Sequence, residues 1–573
     1  MTGAGAAAIH PQTGGHPRRP EARAAPEEYP PAAGYLHGLG LSGQASPMRI
    51  PVMAVPRLLH CSLVDGILLA LVLAGAGLAA EPDVAEKPAE PAATVEAAEK
   101  DRKKPLRIPE ATDKPIVTEH AITLGETTLE YRAETGMLPL LSEEGTPRAG
   151  VFYVAYTAKP AGDPAERPVM FCFNGGPGAA SVWLHLGGLG PRRAKVNDDG
   201  TLPPPPFGLV DTAHTLLPAA DLVFIDPVAT GYSRPAKDQR ADQFFGAAAD
   251  ISAVADFIRL WTTRARRWRS PKYLCGESYG VFRAAGLARR LQDEHGMFLN
   301  GLVLVSGLVD FQTIHPGPSN DLPYATFLPG FTAVAAHHGK LAADLSGDLP
   351  AALAEARAFA AGEYATALFA GASLSAERRS AVARQLARLS GLPEKLILDH
   401  DLRVDPGLFQ EKLLADEGLI CGRFDGRITG RDGSAAGSRP GFDPSFTAAL
   451  GPLSSAMNAY VREELGYESD LPYKVLAGVG PWPYEQNAYA NTATDLADAM
   501  HENPHLRVLV LVGLCDLAVP CDAMRHSVDH LRLDRALRAN ITFAEYTSGH
   551  MMYLNLPDLA RMEADLARFV SPP

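Results

Sequence analysis

Four short, near-continuous apolar runs set the strongest constraint on the fold. They read VMFCF at 169–173, LVFID at 222–226, LVLVS at 302–306 and VLVLV at 508–512. A strand with one wet face alternates polar and apolar residues, whereas a continuous run suits a strand covered on both faces. Helix-like segments separate the runs. In ADISAVADFIRLWTTRA, residues Ile251, Val254, Ala255, Ile258 and Trp261 recur near helical spacing. Strands alternating with helices predict an α/β fold built on a mostly parallel, doubly wound central sheet.

The flanking regions read differently. From Ile116 to about Ala158, alternating runs such as AITLGETTLEYRAE and GVFYVAYTA predict antiparallel strands joined by tight turns. Between about residues 312 and 480 the strand signal fades into an Ala-rich, helix-patterned stretch with loops such as TGRDGSAAGSRPGFDPS. It reads as a cap inserted between sheet strands, over the face that carries function.

The N-terminal part is not expected to join this core. ILLALVLAGAGL at 67–78 is too short for a comfortable membrane span. Arg57 upstream and GLAAEP downstream give it the layout of a secretory signal over about residues 48–80, cleaved near Ala79 or Ala80. Met48 or Met53 is the natural start, and residues 1–47, rich in Ala, Gly and Pro, read as disordered or outside the true product. Residues 81–116 form a Pro-, Ala-, Glu- and Lys-rich linker, and residues 117–573 form the folded domain. A secreted or periplasmic location follows, with no stable membrane anchor after cleavage.

The net charge of −13 disfavours a nucleic-acid partner. Once Cys61 leaves with the signal, five cysteines remain, so at least one thiol stays free or pairs between chains. Cys515 and Cys521 are close enough in sequence to bridge, but spacing alone leaves that open. No His/Cys/Asp cluster has metal-ligand spacing and no dinucleotide loop occurs, so no cofactor or metal is expected.

Chemistry concentrates in YLCGESYGVFRAAG at 273–286. An apolar segment precedes Gly276-Glu277-Ser278-Tyr279-Gly280 and a helix-compatible segment follows, the context of a nucleophile elbow. A serine nucleophile needs a base, and the base needs an orienting acid. Asp516 follows the run VLVLV, and His550 follows ITFAEY, both at the carboxyl ends of predicted strands. Upstream, Asn174-Gly175-Gly176-Pro177-Gly178 ends another strand. Its glycines allow close backbone approach, and its N–H groups are candidates for an oxyanion hole together with that of the residue after the serine.

In this order the stretches FNGGPGAAS, DPVATGYS (226–233), GESYG, GLCDLAVP and SGHMMY resemble the serine carboxypeptidase family, peptidases of the α/β-hydrolase fold. They span about residues 169–553 and suit a divergent, bacterial-type member. The resemblance implies Ser278 as nucleophile, His550 as base and Asp516 as its partner. It implies Gly176 and Tyr279 as oxyanion-hole donors, and Asn174 and Glu277 as binders of a peptide substrate's terminal carboxylate.

Three departures stand out. The family's tryptophan two residues before the asparagine is Cys172 here, and the cysteine that often follows NGGPG is Ala179. A second glutamate, expected just before Gly190-Pro191, is replaced by Gly188. Two adjacent carboxyls share a proton and so tolerate a substrate carboxylate. Without the second, Glu277 is expected to ionise more readily. Either Arg192 or Arg193 supplies a carboxylate clamp, or both are solvated surface residues and selectivity for terminal carboxylates weakens. The expected activity is a serine-type carboxypeptidase. The alternatives are an esterase or acyltransferase on the same triad, or a non-catalytic envelope binding protein.

Overall fold

The computed structural model describes residues 114–160, 163–433, 437, 439–483 and 488–571. The signal-like segment and most of the linker lie outside the described residues.

Three antiparallel strands open the domain: β1 (Ile116–Leu124), β2 (Thr127–Leu141) and β3 (Pro147–Ala158). Exposed and covered positions alternate along β1, as an edge with one wet face requires. The apolar runs then form β4 (Val169–Phe173), β5 (Asp221–Ile225), β6 (Lys272–Glu277), β7 (Gly301–Val305), β8 (Arg507–Gly513) and β9 (Ile541–Tyr546). Every residue of β4, β5, β6 and β7 is buried, which accounts for their lack of alternation.

The strands lie in the order β1-β2-β3-β5-β4-β6-β7-β8-β9, and Arg234–Pro235 pairs with β3 as a short tenth strand. From β5 to β9 all neighbours run parallel. This is the α/β-hydrolase arrangement, a mostly parallel sheet with antiparallel N-terminal strands. Its register aligns the strand ends that matter: Glu277 pairs with Val305, Val305 with Leu511, and Gly513 with Tyr546.

Each sheet face has its own apolar layer. On one, α1 (Ala247–Arg264) and α2 (Tyr279–His295) pack Ile258, Trp261, Phe282 and Leu287 against Phe171, Leu274 and Val510. On the other, Leu559, Met562 and Leu566 of the C-terminal helix Leu556–Val570 meet Met170, Val303 and Leu511.

Between β7 and β8 the chain forms a helical region with a third apolar cluster. Phe331 and Val334 of α3 (Leu322–His337) and Ala356 of α4 (Leu349–Phe359) share it with Leu517, just past β8. Arg357 of α4 pairs with Asp522 at 2.9 Å and Glu545 at 2.7 Å, tying the region to the sheet end. Among the described residues, all five cysteines are free and buried, so Cys515 and Cys521 form no bridge. No helix among the described residues is long and apolar enough to cross a membrane.

Candidate active site

Only Ser278 separates β6 from α2. Its backbone sits at φ 61° and ψ −126°, a region that residues with a side chain seldom occupy. The strain is held by hydrogen bonds on both sides. Ser278 N donates to Val305 O at 2.9 Å, and Val281 N donates to Ser278 O at 2.9 Å. The flanking glycines are a matter of space, because a Cβ on Gly276 would lie 2.1 Å from Gly280 O. This is a nucleophile elbow, with a partly exposed serine at the start of a 17-residue helix.

The Asn174–Gly178 loop lies against the elbow. A Cβ on Gly175 would stand 2.3 Å from Tyr279 N and 2.6 Å from Gly280 N, so only glycine allows this approach. Gly176 follows with φ 98°. The loop is fixed from beneath by Arg283 of α2, whose Nη1 donates to Asn174 O at 2.5 Å. Arg283 is fully buried, and its other nitrogens donate to Asp250 of α1 at 2.7 and 3.1 Å. Asp226, from DPVATGYS, holds the next turn by accepting from Ser181 N at 2.8 Å and Ser181 Oγ at 2.7 Å.

The candidate acid and base, Asp516 and His550, lie on the loops after β8 and β9. Asp516 Oδ1 accepts from Ala518 N and Val519 N at 2.7 and 2.9 Å, leaving Oδ2 to meet His550 Nδ1 at 2.6 Å. A carboxylate only accepts, so Nδ1 carries the hydrogen and Nε2 is left as the basic nitrogen. Burial opposes charge on His550, but the Asp516 carboxylate outweighs it and raises the pKa above the ordinary histidine value. Glu277 adds to this and Arg423 works against it. Ser278 Oγ and His550 Nε2 are not hydrogen-bonded to each other among the described residues, a slack that serine–histidine pairs show in the free state.

Both loops are gripped by a clip that sequence reading missed. Arg423 O accepts from Leu517 N at 3.0 Å, Phe424 O from His550 N at 2.6 Å, and Gly426 N donates to Cys515 O at 2.9 Å. The Phe424 ring lies 5.0 Å from the His550 ring. Residues 423–426 belong to the inserted region, and nothing local marks RFDG as more than a turn.

Glu277 meets Asn174, as the sequence reading paired them. Asn174 Nδ2 donates to Glu277 Oε2 at 2.7 Å. A third partner was missed: Tyr553 Oη donates to the same Oε2 at 2.7 Å. Tyr553 also explains Gly188, where a Cβ would lie 2.7 Å from Tyr553 Cβ. The place expected for a second glutamate is filled by this tyrosine. Burial pushes Glu277 up to about 7, against the pull of His550 and of the Tyr553 and Asn174 hydrogen bonds. Loss of the second carboxyl therefore does not leave Glu277 readily ionised, contrary to expectation, because dehydration outweighs its donors.

Of the two arginines considered for a carboxylate clamp, Arg192 is engaged elsewhere. Arg192 is bound to Glu464 at 2.7 Å and to Asp211. Arg193 is buried rather than solvated, and burial lowers its pKa. Both lie on the short strand Arg192–Ala194, paired with Leu209–Asp211 away from the central sheet.

Residues 126–324 match the family described as serine carboxypeptidase. Over that stretch, about a third of its length, the chain is similar to the serine carboxypeptidase family. Among curated relatives, serine carboxypeptidase-like 5 of Arabidopsis thaliana is 30% identical over 159 residues, covering 27% of this chain and 33% of that protein. Serine carboxypeptidase-like 1 of the same plant is 27% identical over 208 residues, covering 34% and 44%. The matched part thus spans a third to under half of these relatives. Among solved structures, Kex1, a prohormone-processing carboxypeptidase from Saccharomyces cerevisiae, aligns with TM-score 0.47 at 16% identity, over 76% of this chain and 91% of that one. A proline iminopeptidase from Mycobacterium smegmatis aligns with TM-score 0.31 at 14% identity, over 79% and 97%.

Proposed function

We propose that the protein is a serine-type carboxypeptidase that releases C-terminal amino acids from peptides. The observation that carries this reading is the environment of Glu277, the residue immediately before Ser278. Among the described residues, its two side-chain hydrogen-bond donors, Asn174 and Tyr553, both reach Oε2. When Glu277 is neutral, its own hydrogen therefore belongs on Oε1 and is available to a substrate carboxylate. With a pKa near 7, that neutral form dominates under mildly acidic conditions.

The reaction follows from the groups around Ser278. His550 Nε2 takes the hydroxyl proton as Ser278 Oγ attacks the scissile carbonyl carbon. Backbone N–H groups of Gly176 and Tyr279 receive the developing oxyanion. His550 then returns the proton to the departing amine, and the C–N bond breaks to give an acyl-Ser278. Water, deprotonated by His550, attacks the acyl carbon and restores the serine. Asp516 steadies the imidazolium at each stage. The chain acts after export, directed by the segment around residues 67–78.

Two measurements test the reading. A fluorophosphonate should label the protein, and Ser278→Ala should abolish labelling; label retained in that variant refutes Ser278 as nucleophile. Blocked dipeptides should be cleaved as free acids and poorly as C-terminal amides. Equal or better cleavage of amides between pH 5 and 9 rejects the carboxypeptidase assignment.

A further inference from the structure

The clip at 423–426 has a side chain that its backbone role does not use. Arg423 is exposed, and among the described residues no carboxylate lies within ion-pair range of its guanidinium. Arg427, four residues on, is by contrast committed to Asp425 at 2.7 Å. The Arg423 guanidinium instead stacks on the Phe424 ring, its carbon 5.2 Å from the centroid. That ring in turn packs on His550.

From the Ser278 side a second basic residue approaches. His315 stacks on Phe311 at 5.4 Å, and Phe311 lies 6.4 Å from the ring of Tyr279, the residue after the nucleophile. His315 is exposed, yet its surroundings depress the imidazole, by burial first and by Arg423 second. The same guanidinium is felt by His550. Arg423 is thus close to both walls of the site, one reached through Phe424 and His550, the other through His315, Phe311 and Tyr279.

An exposed cation held this close to a catalytic base, stacked on an aromatic ring and without a protein counter-ion, suits a carboxylate brought by the substrate. Its rim position sets it apart from buried Glu277, which is placed to meet the terminal carboxylate. The geometry points to Arg423 as a specificity-determining residue that selects substrates with an acidic side chain, Asp or Glu, in a residue flanking the scissile bond. This rests on the peptidase reading of Ser278 and adds to it the substrate class.

The backbone hydrogen bonds of residue 423 do not depend on its side chain, so variants here should keep the clip. Arg423→Met keeps the contact with Phe424 and removes the charge; Arg423→Glu reverses it. The probes are blocked dipeptides with Glu or Gln in the leaving position, and with Glu or Gln in the acyl position, each as free acid and as amide. Wild type should favour Glu over Gln in one of the two positions by about 10- to 100-fold in kcat/KM, read mainly in KM. Arg423→Met should bring the Glu-to-Gln ratio to about one, a ratio that cancels any change in His550 common to both substrates, and Arg423→Glu should invert it. Absence of any Glu preference in wild type, or its survival in Arg423→Met, overturns the proposal. The Glu-to-Gln ratio is read within acids and within amides separately. Efficient amide cleavage would thus sink the carboxypeptidase reading while leaving the test of Arg423 intact.

Discussion

On the carboxypeptidase reading, removing the Tyr553 hydroxyl should move the pH range over which a free carboxylate is accepted. Glu277 can donate to that carboxylate only while neutral, and its pKa lies near 7. The ionised form is held by Tyr553 at 2.7 Å and by Asn174 at 2.7 Å. A hydrogen bond to a charged acceptor contributes about 1.5–3 kcal/mol and one to a neutral acceptor about half of that. Tyr553→Phe therefore withdraws about 1 kcal/mol more from the ionised form than from the neutral form. At about 1.4 kcal/mol per tenfold change, the pKa of Glu277 should rise by somewhat under one pH unit, toward 8.

The assay is KM for a blocked dipeptide divided by KM for its methyl ester, from pH 5 to 9. The ratio cancels the ionisation of His550, which both substrates share. In wild type it should be flat below about 7 and then climb tenfold per pH unit. In Tyr553→Phe the break should sit close to 8, and in Glu277→Gln it should vanish. A break that stays in place, or moves to lower pH, would show that Tyr553 does not hold the ionised form and that the carboxylate is bound elsewhere.

Gly175→Ala puts a Cβ 2.3 Å from Tyr279 N, a backbone atom that cannot step aside, so kcat should fall about 10²- to 10³-fold with the circular dichroism spectrum unchanged. Arg283→Met strands buried Asp250 and frees the Asn174 carbonyl; urea unfolding should show a loss of about 3–5 kcal/mol. Asp226 is raised by burial from 3.8 to about 6, so the native state keeps a proton that the unfolded chain has released, and stability falls by about 3 kcal/mol as pH rises across that window. Asp226→Asn should flatten the slope of Tm between pH 4 and 6, and an unchanged slope would place the proton elsewhere. Arg192→Ala should affect free acids and amides alike, because its partners are Glu464 and Asp211.

What the sequence makes legible is what repeats or turns sharply. The runs VMFCF, LVFID, LVLVS and VLVLV end within a residue or two of β4, β5, β7 and β8, because a strand buried on both faces has few polar positions to blur the pattern. Gly276 and Gly280 announce the elbow through the space they must leave. Arg283 and the 423–426 clip leave no such trace, and Tyr553 ends the stretch SGHMMY without announcing its reach to Glu277. Each acts through a partner more than 30 residues away, and each looks ordinary in its own neighbourhood. An arginine in a helix normally reads as solvated, and Arg283 is buried only because Asp250 and Asn174 O await it. Arg192 misled for the converse reason, since its nearness in sequence to Gly188 says nothing about Glu464 and Asp211, the distant carboxylates that hold it.

Gly188 and Tyr553 are best understood as one exchange. A carboxyl at 188 needs the space that the Tyr553 ring fills, and Leu559 closes the remaining side, 2.9 Å from where a Cβ would stand. Two carboxyls sharing a proton titrate as a coupled pair, with two apparent pKa values that belong to neither alone. A phenol and a carboxyl behave otherwise. Burial and the Glu277 charge hold Tyr553 well above the ordinary tyrosine range, so it stays a donor while Glu277, with His550 as a charged neighbour, is pushed up to about 7. A fixed donor also removes any competition between two acids for one proton. On the carboxypeptidase reading, the pair keeps the neutral acid that a substrate carboxylate needs, with one carboxyl in place of two. That is why the acid-to-ester ratio should show a single break with unit slope.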